Sequence, residues 1–248
     1  SNIENLSSFA RDIVLMKQCK VNPIIIHGGG PMINNALNKW GIDFNFVDGK
    51  RVTDKKAVKI VEMVLSGDLN KNIVSSINNQ GGSGVGISGK DASLVICEKD
   101  NPELGYVGKP ILINTKLITT LVENDFIPVI SPIGTNKEGE TFNINADTMA
   151  GTIASALKAD RLLLLTDVSG VKDKSGNKIE KASTEEIQKL IKQNVIKDGM
   201  IPKVNTSIDS IEKGVRAVVI LDGSIQNACL LELFTDHGVG TLIRKELN

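Results

Sequence analysis

Three consecutive glycines follow a run of isoleucines and a histidine in the stretch PIIIHGGGP, residues 23–31. An apolar run that ends in glycines predicts a buried strand that enters a tight turn, and Pro31 suits the first position of a helix. Glycines let backbone N–H groups come close to a ligand, and a helix N-terminus favours negative charge. Gly28, Gly29 and Gly30 therefore predict an anion cradle, although such turns also occur for packing alone.

Two later segments carry polar side chains that could bind a small polar molecule. Arg51, in DGKRVTD, could form a bidentate pair with a substrate carboxylate, and the alternative is a surface arginine. Asn143, Asn145 and Asp147 alternate in FNINAD, so their side chains are expected to project the same way. The amides offer donors and acceptors, and the aspartate could hold a metal or position lysines. The alternative for this segment is a turn that caps the following helix.

The second half of the chain offers a carboxylate and a cation. Four leucines precede Thr-Asp in LLLLTDVSGVKD, which places Asp167 at the carboxyl end of a predicted parallel strand, where α/β sheets bind ligands. Asp167 could meet a nucleotide ribose or a bound metal. Lys203, in GMIPKV, is predicted in the first turn of a helix, where its charge opposes the helix dipole. This placement favours a functional role, and Lys203 is the best candidate for a cation that stabilises a phosphoryl group.

The remaining candidates favour structural roles. Glu232, Asp236 and His237 could form a small-molecule site. The simpler interpretation is that they lie on a helix–strand connection and bind no ligand. His27 is expected to be a satisfied histidine at a strand end rather than a catalytic base. The three cysteines are widely spaced, lack metal-ligand spacing and are expected to be buried thiols, which is typical of a reducing cytoplasm.

Composition excludes several classes of function. The 248 residues suffice for one large α/β domain or two lobes, and 41% hydrophobic residues permit a sizeable core. The chain has 29 lysine and arginine residues and 29 aspartate and glutamate residues. The overall charge therefore gives no reason to expect a nucleic-acid partner. Aromatic residues make up only 3%, which disfavours a base-stacking platform. No apolar stretch approaches the roughly 20 residues of a membrane span, so no membrane association is expected.

Hydrophobic periodicity places these residues on alternating helices and strands. The opening segment predicts an amphipathic helix, FNFVDGKRVT predicts a hairpin around Asp48 and Gly49, and KKAVKIVEMVLSG and LNKNIVSSINN predict two helices. Strands rich in Ile, Leu and Val between helices predict a mainly parallel sheet that is covered on both faces. A boundary between two lobes is expected near residue 158. The first helix feeds a buried strand without an earlier strand, so the sequence is expected to start inside the domain.

Taken together, the segments resemble the amino acid kinase family, in particular its members that phosphorylate N-acetyl-L-glutamate. The resemblance covers essentially the whole chain, and the segments that carry it occur in the family's order: HGGGPMINNALNKWGI, FVDGKRVTD, VEMVLSGDLNK, FIPVISPIG, FNINADTMAG, LLLLTDVSGV, DGMIPKV and LLELFTDHGVGT. It implies a three-layer α/β/α sandwich with a mainly parallel central sheet. Residues 1–158 would form an N-lobe for the amino acid and for dimerisation, and residues 159–248 a C-lobe for ATP.

The activity implied by the resemblance is transfer of phosphate from ATP, with Mg²⁺, to the γ-carboxylate of N-acetyl-L-glutamate in arginine biosynthesis, in the cytoplasm. In the acceptor half, Gly29 and Gly30 resemble backbone donors to the phosphoryl and acyl oxygens. Arg51, helped by Asn143, resembles the residue that grips the substrate α-carboxylate, and Asn145 would line the same pocket.

In the nucleotide half, the resemblance gives two residues a part in phosphoryl transfer. Asp147 resembles the organiser of the catalytic lysines, and Lys203 resembles the lysine that stabilises the transferring group. Other positions fall where the family contacts ATP: Thr166, Asp167, Gly170 and Met200. The attacking carboxylate is already ionised at neutral pH, so no general base is required.

The N-terminus departs from the family pattern, which begins with a strand and a Lys-x-Gly-Gly turn that this sequence does not show. An omitted segment is expected in preference to an inactive relative. The ending ELFTDHGVGT resembles members inhibited by L-arginine, with Glu232 and Gly238 in the matching positions. A homodimer or a hexamer is implied. Two alternatives stay open: a kinase for glutamate, aspartate, carbamate or UMP, and a non-catalytic amino acid sensor.

Overall fold

Helices and strands alternate along the chain, which confirms the predicted α/β class. The computed structural model of the protein describes residues 3–47, 49–197 and 199–247. Within these residues, no helix combines the length and the apolar composition that a membrane crossing requires.

The chain forms two compact units, which are described separately. Residues 13–149 make up the first unit, and residues 1–12 with 150–248 make up the second. The first helix, α1 (Ile3–Gln18), contributes residues to both units.

The division lies inside α6 (Ala146–Leu157), earlier than the boundary predicted at residue 158. Gly151 gives a physical reason, because a Cβ atom there would lie 2.6 Å from Cγ2 of Thr206 on α8 (Met200–Glu212). The helix from residue 150 onward is therefore packed closely against α8. The ligand roles assigned to the two lobes stay predictions.

The first unit alternates short strands with helices. Its elements after α1 are β1 (Ile25–Ile26), α2 (Gly30–Lys39), β2 (Phe46–Val47), β3 (Lys50–Arg51), α3 (Lys55–Glu62), a π-helix (Met63–Leu69), α4 (Asn70–Asn79), β4 (Gly84–Ser88), β5 (Val95–Lys99), β6 (Gly108–Ile113), α5 (Lys116–Glu123), β7 (Ile127–Ser131), β8 (Ile133–Thr135), β9 (Thr141–Asn143) and the start of α6.

Two sheets organise this unit. Strands β1, β7 and β4 form a fully parallel sheet in the order β1-β7-β4, with Ile25 opposite Val129 and Gly86 also opposite Val129. Strands β6, β5, β8 and β9 form a mixed sheet in that order, in which β5–β6 and β8–β9 are antiparallel. The periodicity did not predict β8, because a three-residue strand is too short to show an alternation, whereas the alternation in FNINAD did indicate a strand end where β9 lies.

The segment predicted as two helices is one continuous helical run from Lys55 to Asn79. Its middle, Met63–Leu69, is a π-helix, and Gly67 lies within it without ending the run. A π segment shifts the side chains that follow it around the helix axis, and such segments are frequent at functional sites. The shift determines which residues of α4 face the parallel sheet.

The second unit is built on a four-stranded sheet in the order β10-β12-β13-β11. β10 and β12 are parallel, β11 and β13 are parallel, and β12 and β13 are antiparallel. Its elements after α6 are β10 (Leu162–Thr166), β11 (Lys181–Ser183), α7 (Thr184–Lys192), α8, β12 (Val218–Asp222), α9 (Ala228–Phe234) and β13 (Thr241–Arg244). Ser183 and Glu186 form the capping box of α7 that the sequence suggests.

The cysteines differ from one another in burial. Cys97 and Cys229 are buried free thiols, as expected, and burial raises the pKa of each to about 12. The expectation was wrong for Cys19, which is exposed because it lies immediately after the last residue of α1.

Candidate active site

A cavity of about 190 Å³ in the first unit gathers most of the predicted acceptor residues. Three segments provide its polar lining: the glycine turn after β1, the β2–β3 hairpin and the chain that leaves β9. The lining residues that matter for its chemistry are Gly28, Gly29, Gly30, Lys50, Arg51, Asn143 and Asn145. The resemblance implied a shared pocket for Arg51, Asn143 and Asn145, and these residues line one cavity, while their contact with a substrate stays a prediction.

The glycine turn packs tightly on one side and is open on the other. Gly29 is the residue before α2, and a Cβ atom there would lie 2.5 Å from Cδ1 of Leu69 and 2.7 Å from Cδ2 of Leu65. A Cβ atom at Gly30 would meet nothing within 4 Å. Within the described part of the chain, no atom accepts a hydrogen bond from the N–H of Gly28, Gly29 or Gly30. These donors are available to an anion.

Arg51 is held in the cavity by aromatic rings. It stands opposite Phe46 in the hairpin, and its guanidinium carbon lies 4.7 Å from the ring centroids of both Phe44 and Phe46. Its Nη2 donates to the carbonyl of Gly30 at 3.4 Å. The hairpin prediction is confirmed, although Asp48, at its predicted turn, lies outside the described residues. These contacts fix the guanidinium plane beside the glycine turn.

The charge of Arg51 lacks a counterion among the described residues. The side chain belongs to a residue only 6% exposed, and its Nη1 is buried with no described hydrogen-bond partner. No described carboxylate lies within ion-pair distance of it. Burial lowers the pKa of the guanidinium, which nevertheless stays protonated at neutral pH. A buried cation with an unused donor is suited to an anionic ligand such as a carboxylate.

Asn143 and Asn145 line the cavity in different ways. The side-chain amide of Asn143 donates to Oγ1 of Thr53 at 3.4 Å, and Thr53 in turn donates to the carbonyl of Arg51 at 2.8 Å. Asn145 accepts from the N–H of Thr148 at 3.0 Å, so it also caps α6. Asn145 therefore caps the helix, as the alternative interpretation of FNINAD predicted, and it also lines the cavity, while its contact with a ligand stays a prediction.

The two residues predicted to organise phosphoryl transfer lie in different units. Asp147 is in the first turn of α6, in the first unit, and Lys203 is in the first turn of α8, in the second. The helical position predicted for Lys203 is confirmed. Among the described residues, no group of three or more His, Cys, Asp or Glu side chains could hold a metal ion.

Two of the predicted nucleotide positions, Thr166 and Asp167, lie at the carboxyl end of β10. Thr166 is the last residue of β10, and its Oγ1 donates to Asp167 at 3.1 Å. Gly170 has φ of +136°, and a Cβ atom there would lie 2.5 Å from Oγ1 of Thr241. Met200 begins α8. The placement of Thr166 and Asp167 at the carboxyl end of a parallel strand is confirmed, and their contact with a nucleotide stays a prediction.

Glu232 and Gly238 contact each other in the second unit. The Glu232 carboxylate accepts from the N–H groups of Val239 and Gly240, at 2.9 Å and 3.1 Å. A Cβ atom on Gly238 would collide with that carboxylate. Glu232 therefore holds the connection between α9 and β13, as the simpler interpretation predicted, and an effector role stays a prediction.

Sequence reasoning missed the residues that support Arg51 and the glycine turn. The alternation FNF in residues 44–46 was a signal for the aromatic pair, since it predicts two rings on one face of a strand. Thr53 and Asn70 gave no local signal, because their partners are distant in sequence. His27 is satisfied at both ring nitrogens, which confirms the prediction for it.

Comparisons with known proteins show which family and which relatives the chain is similar to. The profile described as the amino acid kinase family matches residues 1–222. Acetylglutamate kinase from Ruegeria pomeroyi is 57% identical over 243 residues, 98% of this chain and 85% of that protein. The enzyme of the same name from Dinoroseobacter shibae is 58% identical over 242 residues, 98% of this chain and 84% of that protein.

A solved structure shares the fold. N-acetylglutamate synthase from Neisseria gonorrhoeae, complexed with coenzyme A and N-acetyl-glutamate, superposes with a TM-score of 0.88 at 25% identity. The superposition covers 99% of this chain and 57% of that one.

Substitution by alanine should change the free energy of unfolding differently at the two glycines at the start of α2. We expect Gly29→Ala to lower the free energy of unfolding by about 1–3 kcal/mol, because Leu65 and Leu69 must move to admit the Cβ atom. Gly30→Ala, with open space around it, serves as the matched control and should stay within about 0.5 kcal/mol of the wild type. Urea unfolding measures both, and equal losses would contradict the packing described for Gly29.

Proposed function

Because the chain belongs to the amino acid kinase family, we propose that it transfers the γ-phosphoryl group of ATP to the γ-carboxylate of N-acetyl-L-glutamate. The product is the acyl phosphate N-acetyl-L-glutamyl 5-phosphate, in the second step of arginine biosynthesis. The observation that carries the proposal is the buried guanidinium of Arg51, whose Nη1 has no described partner, beside a turn of free backbone N–H groups. Its relatives named acetylglutamate kinase support the choice of acceptor.

The acceptor binds in the cavity of the first unit. Arg51 pairs with its α-carboxylate, and the amides of Asn143 and Asn145 contact its polar groups. The γ-carboxylate then lies toward the glycine turn. It is ionised at neutral pH and attacks the γ-phosphorus directly, so no side chain must remove a proton. The N–H groups of Gly29 and Gly30 donate to phosphoryl oxygens, and catalysis rests on alignment and charge neutralisation.

ATP enters as its magnesium complex, and Mg²⁺ is carried on the phosphates as part of the substrate. Thr166, Asp167, Gly170 and Met200 contact the nucleotide in our proposal. Lys203 neutralises the charge that develops on the transferring phosphoryl group, and Asp147 aligns the cations. We also propose a cytoplasmic homodimer or hexamer as the working form.

The acceptor assay tests the proposal directly. Formation of ADP should depend on N-acetyl-L-glutamate, and hydroxylamine should trap the acyl phosphate as a hydroxamate. Glutamate, aspartate, carbamate and UMP, supplied at the same concentration, should give little ADP. Activity with one of these and none with N-acetyl-L-glutamate would overturn the acceptor, and binding without any turnover would favour an amino acid sensor.

Two alanine variants should separate acceptor binding from phosphoryl transfer. Arg51→Ala should raise the KM for N-acetyl-L-glutamate about 10- to 100-fold, because a charged hydrogen bond to the carboxylate is lost. Lys203→Ala should lower kcat about 10²- to 10³-fold with a small change in KM, because its charge matters most in the transition state. Steady-state kinetics with varied acceptor measures both.

Exposed cations of the same types provide the controls for these variants. Arg216, whose side chain is 78% exposed, and Lys213, at the end of α8, should tolerate alanine with kcat and KM within about twofold of the wild type. A pure KM effect from Lys203→Ala would contradict the role assigned to that lysine.

We also propose that L-arginine inhibits the enzyme at a site that includes Glu232 and Gly238. Arginine at millimolar concentration should slow ADP formation, and Glu232→Gln should raise the inhibitory concentration at least tenfold. Glutamine keeps an acceptor for the N–H groups of Val239 and Gly240 but removes the negative charge that a guanidinium requires. An activity that arginine leaves unchanged would exclude this regulation.

A further inference from the structure

A buried hydrogen-bonded pair, His27 and Asn70, lies directly behind the glycine turn and has no role in the reaction proposed above. His27 is only 8% exposed and Asn70 only 1%. The imidazole Nδ1 is 3.0 Å from the carbonyl oxygen of Gly28, and Nε2 is 3.3 Å from Nδ2 of Asn70. The pair therefore connects the first residue of α4 to the peptide that joins Gly28 to Gly29.

The surroundings of Asn70 determine the direction of these hydrogen bonds. Its Nδ2 also donates to the carbonyl of Val129 at 2.9 Å, and the carbonyl oxygen of Ile87 lies farther from it, at 3.4 Å. Its Oδ1 accepts from Nζ of Lys71 at 3.2 Å. The opposite orientation of the amide would set its oxygen against two carbonyl oxygens. Asn70 must therefore present N–H, and not oxygen, to His27.

The tautomer of His27 follows from that direction. Since Nε2 accepts from Asn70, it carries no hydrogen in the neutral ring, and the hydrogen resides on Nδ1. Nδ1–H then donates to the Gly28 carbonyl. In a planar trans peptide the carbonyl and the following N–H point in opposite directions. A carbonyl of Gly28 held toward His27 turns the N–H of Gly29 away from His27, and this N–H, in a residue that lines the cavity, has no described acceptor.

We propose that His27, fixed as its Nδ1–H tautomer by Asn70, is a positioning residue that orients the Gly28–Gly29 peptide so that the Gly29 N–H donates to the transferring phosphoryl group. The identity of the ligand, a phosphoryl group, rests on the proposed function. The tautomer of His27 and the orientation of the Gly28–Gly29 peptide depend only on contacts within this chain. His27 does not touch the substrate, and it acts through the backbone of the turn.

The packing around the pair is specific to these side chains. A Cβ atom at Gly86 would collide with Oδ1 of Asn70, so the glycine on β4 leaves the space that the amide occupies. Asn70 immediately follows the π-helix, whose Leu65 and Leu69 pack against Gly29. The same helical run thus holds both faces of the turn, with leucines on one side and the Asn70–His27 pair on the other.

The pair functions only while His27 is neutral. Protonation would place an N–H of Nε2 against the N–H of Asn70, and burial lowers the pKa of the imidazole below its ordinary value of 6.5. The charged groups on the neighbouring elements are Lys71, which contacts Asn70 from α4, and Asp147, one residue beyond the Ala146 that lies beside Gly28. β4 and β7 contribute backbone carbonyls. Acid is therefore expected to break the hydrogen bond between His27 and Asn70, while Nδ1–H still donates to the Gly28 carbonyl.

The tautomer can be measured without any assay of activity. The chain has only two histidines, so long-range ¹H–¹⁵N spectra of the uniformly labelled protein give two imidazole patterns, which His237→Gln assigns. We expect His27 to show a protonated Nδ1 and an unprotonated Nε2 at pH 7.5, and to titrate with a midpoint below 6.5. The Nε2–H tautomer, or a charged ring at that pH, would overturn the inference.

Kinetics then tests the positioning role. His27→Ala should lower kcat about 10- to 100-fold and change the KM for N-acetyl-L-glutamate less than about threefold, because a misplaced donor affects the transition state more than acceptor binding. His27→Asn retains an N–H at the distance of Nδ1 from the backbone and should restore kcat to within about fivefold of the wild type. Asn70→Ala should lower kcat, whereas Asn79→Ala, exposed on the same helix, is the control.

The outcomes separate this inference from the proposed function. If the wild type forms no ADP with N-acetyl-L-glutamate but His27 shows the Nδ1–H tautomer, the proposed function is refuted. The inferred geometry of the glycine turn then still stands. A wild type that is active, with His27→Asn no better than His27→Ala, refutes the positioning role and retains the function. Equal changes in kcat and KM for His27→Ala would also overturn it.

Discussion

The acceptor cavity depends on a buried positive charge that the described protein does not neutralise. Removing a guanidinium from water costs several kcal/mol unless the protein compensates it. Phe44 and Phe46 offer their ring faces to Arg51, and Gly30 offers a carbonyl, but Nη1 is left without a described partner. A ligand carboxylate would complete this arrangement, so the cavity favours an anion before any contact with the rest of the acceptor is considered.

The glycine turn, like Arg51, favours an anionic ligand. All three of its carbonyls are engaged by the protein: Gly28 accepts from His27, Gly29 from the N–H of Ile33 at 2.9 Å, and Gly30 from Arg51. None of its three N–H groups has an acceptor within the residues that the structure describes. A turn whose acceptors are occupied and whose donors are unused offers only positive dipoles to a ligand, which suits a phosphoryl group.

The sequence predicted many of the elements from local patterns, whereas a shared pocket for Arg51, Asn143 and Asn145 was implied only by the family resemblance. An apolar run before GGGP marked β1 and the turn, and alternation marked the hairpin that carries Arg51. It did not predict the π-helix or Asn70, because their effect depends on contacts with Gly29, His27 and Val129 that are distant in sequence. The roles of Lys203 and Asp147 came from resemblance alone, since a lysine in a first helical turn indicates only that its charge opposes the dipole.

The residues that form the acceptor cavity are mostly insensitive to pH near neutrality. Backbone N–H groups and the amides of Asn143 and Asn145 do not titrate, the guanidinium of Arg51 stays charged, and Lys50 pairs with Asp100. Among the described residues that line the cavity or hold its glycine turn, His27 is the side chain whose ordinary pKa lies near neutral pH. Burial lowers the pKa of this imidazole below its ordinary value, and the amide of Asn70 favours the neutral ring, so the orientation of the Gly29 N–H is expected to stay constant near neutral pH.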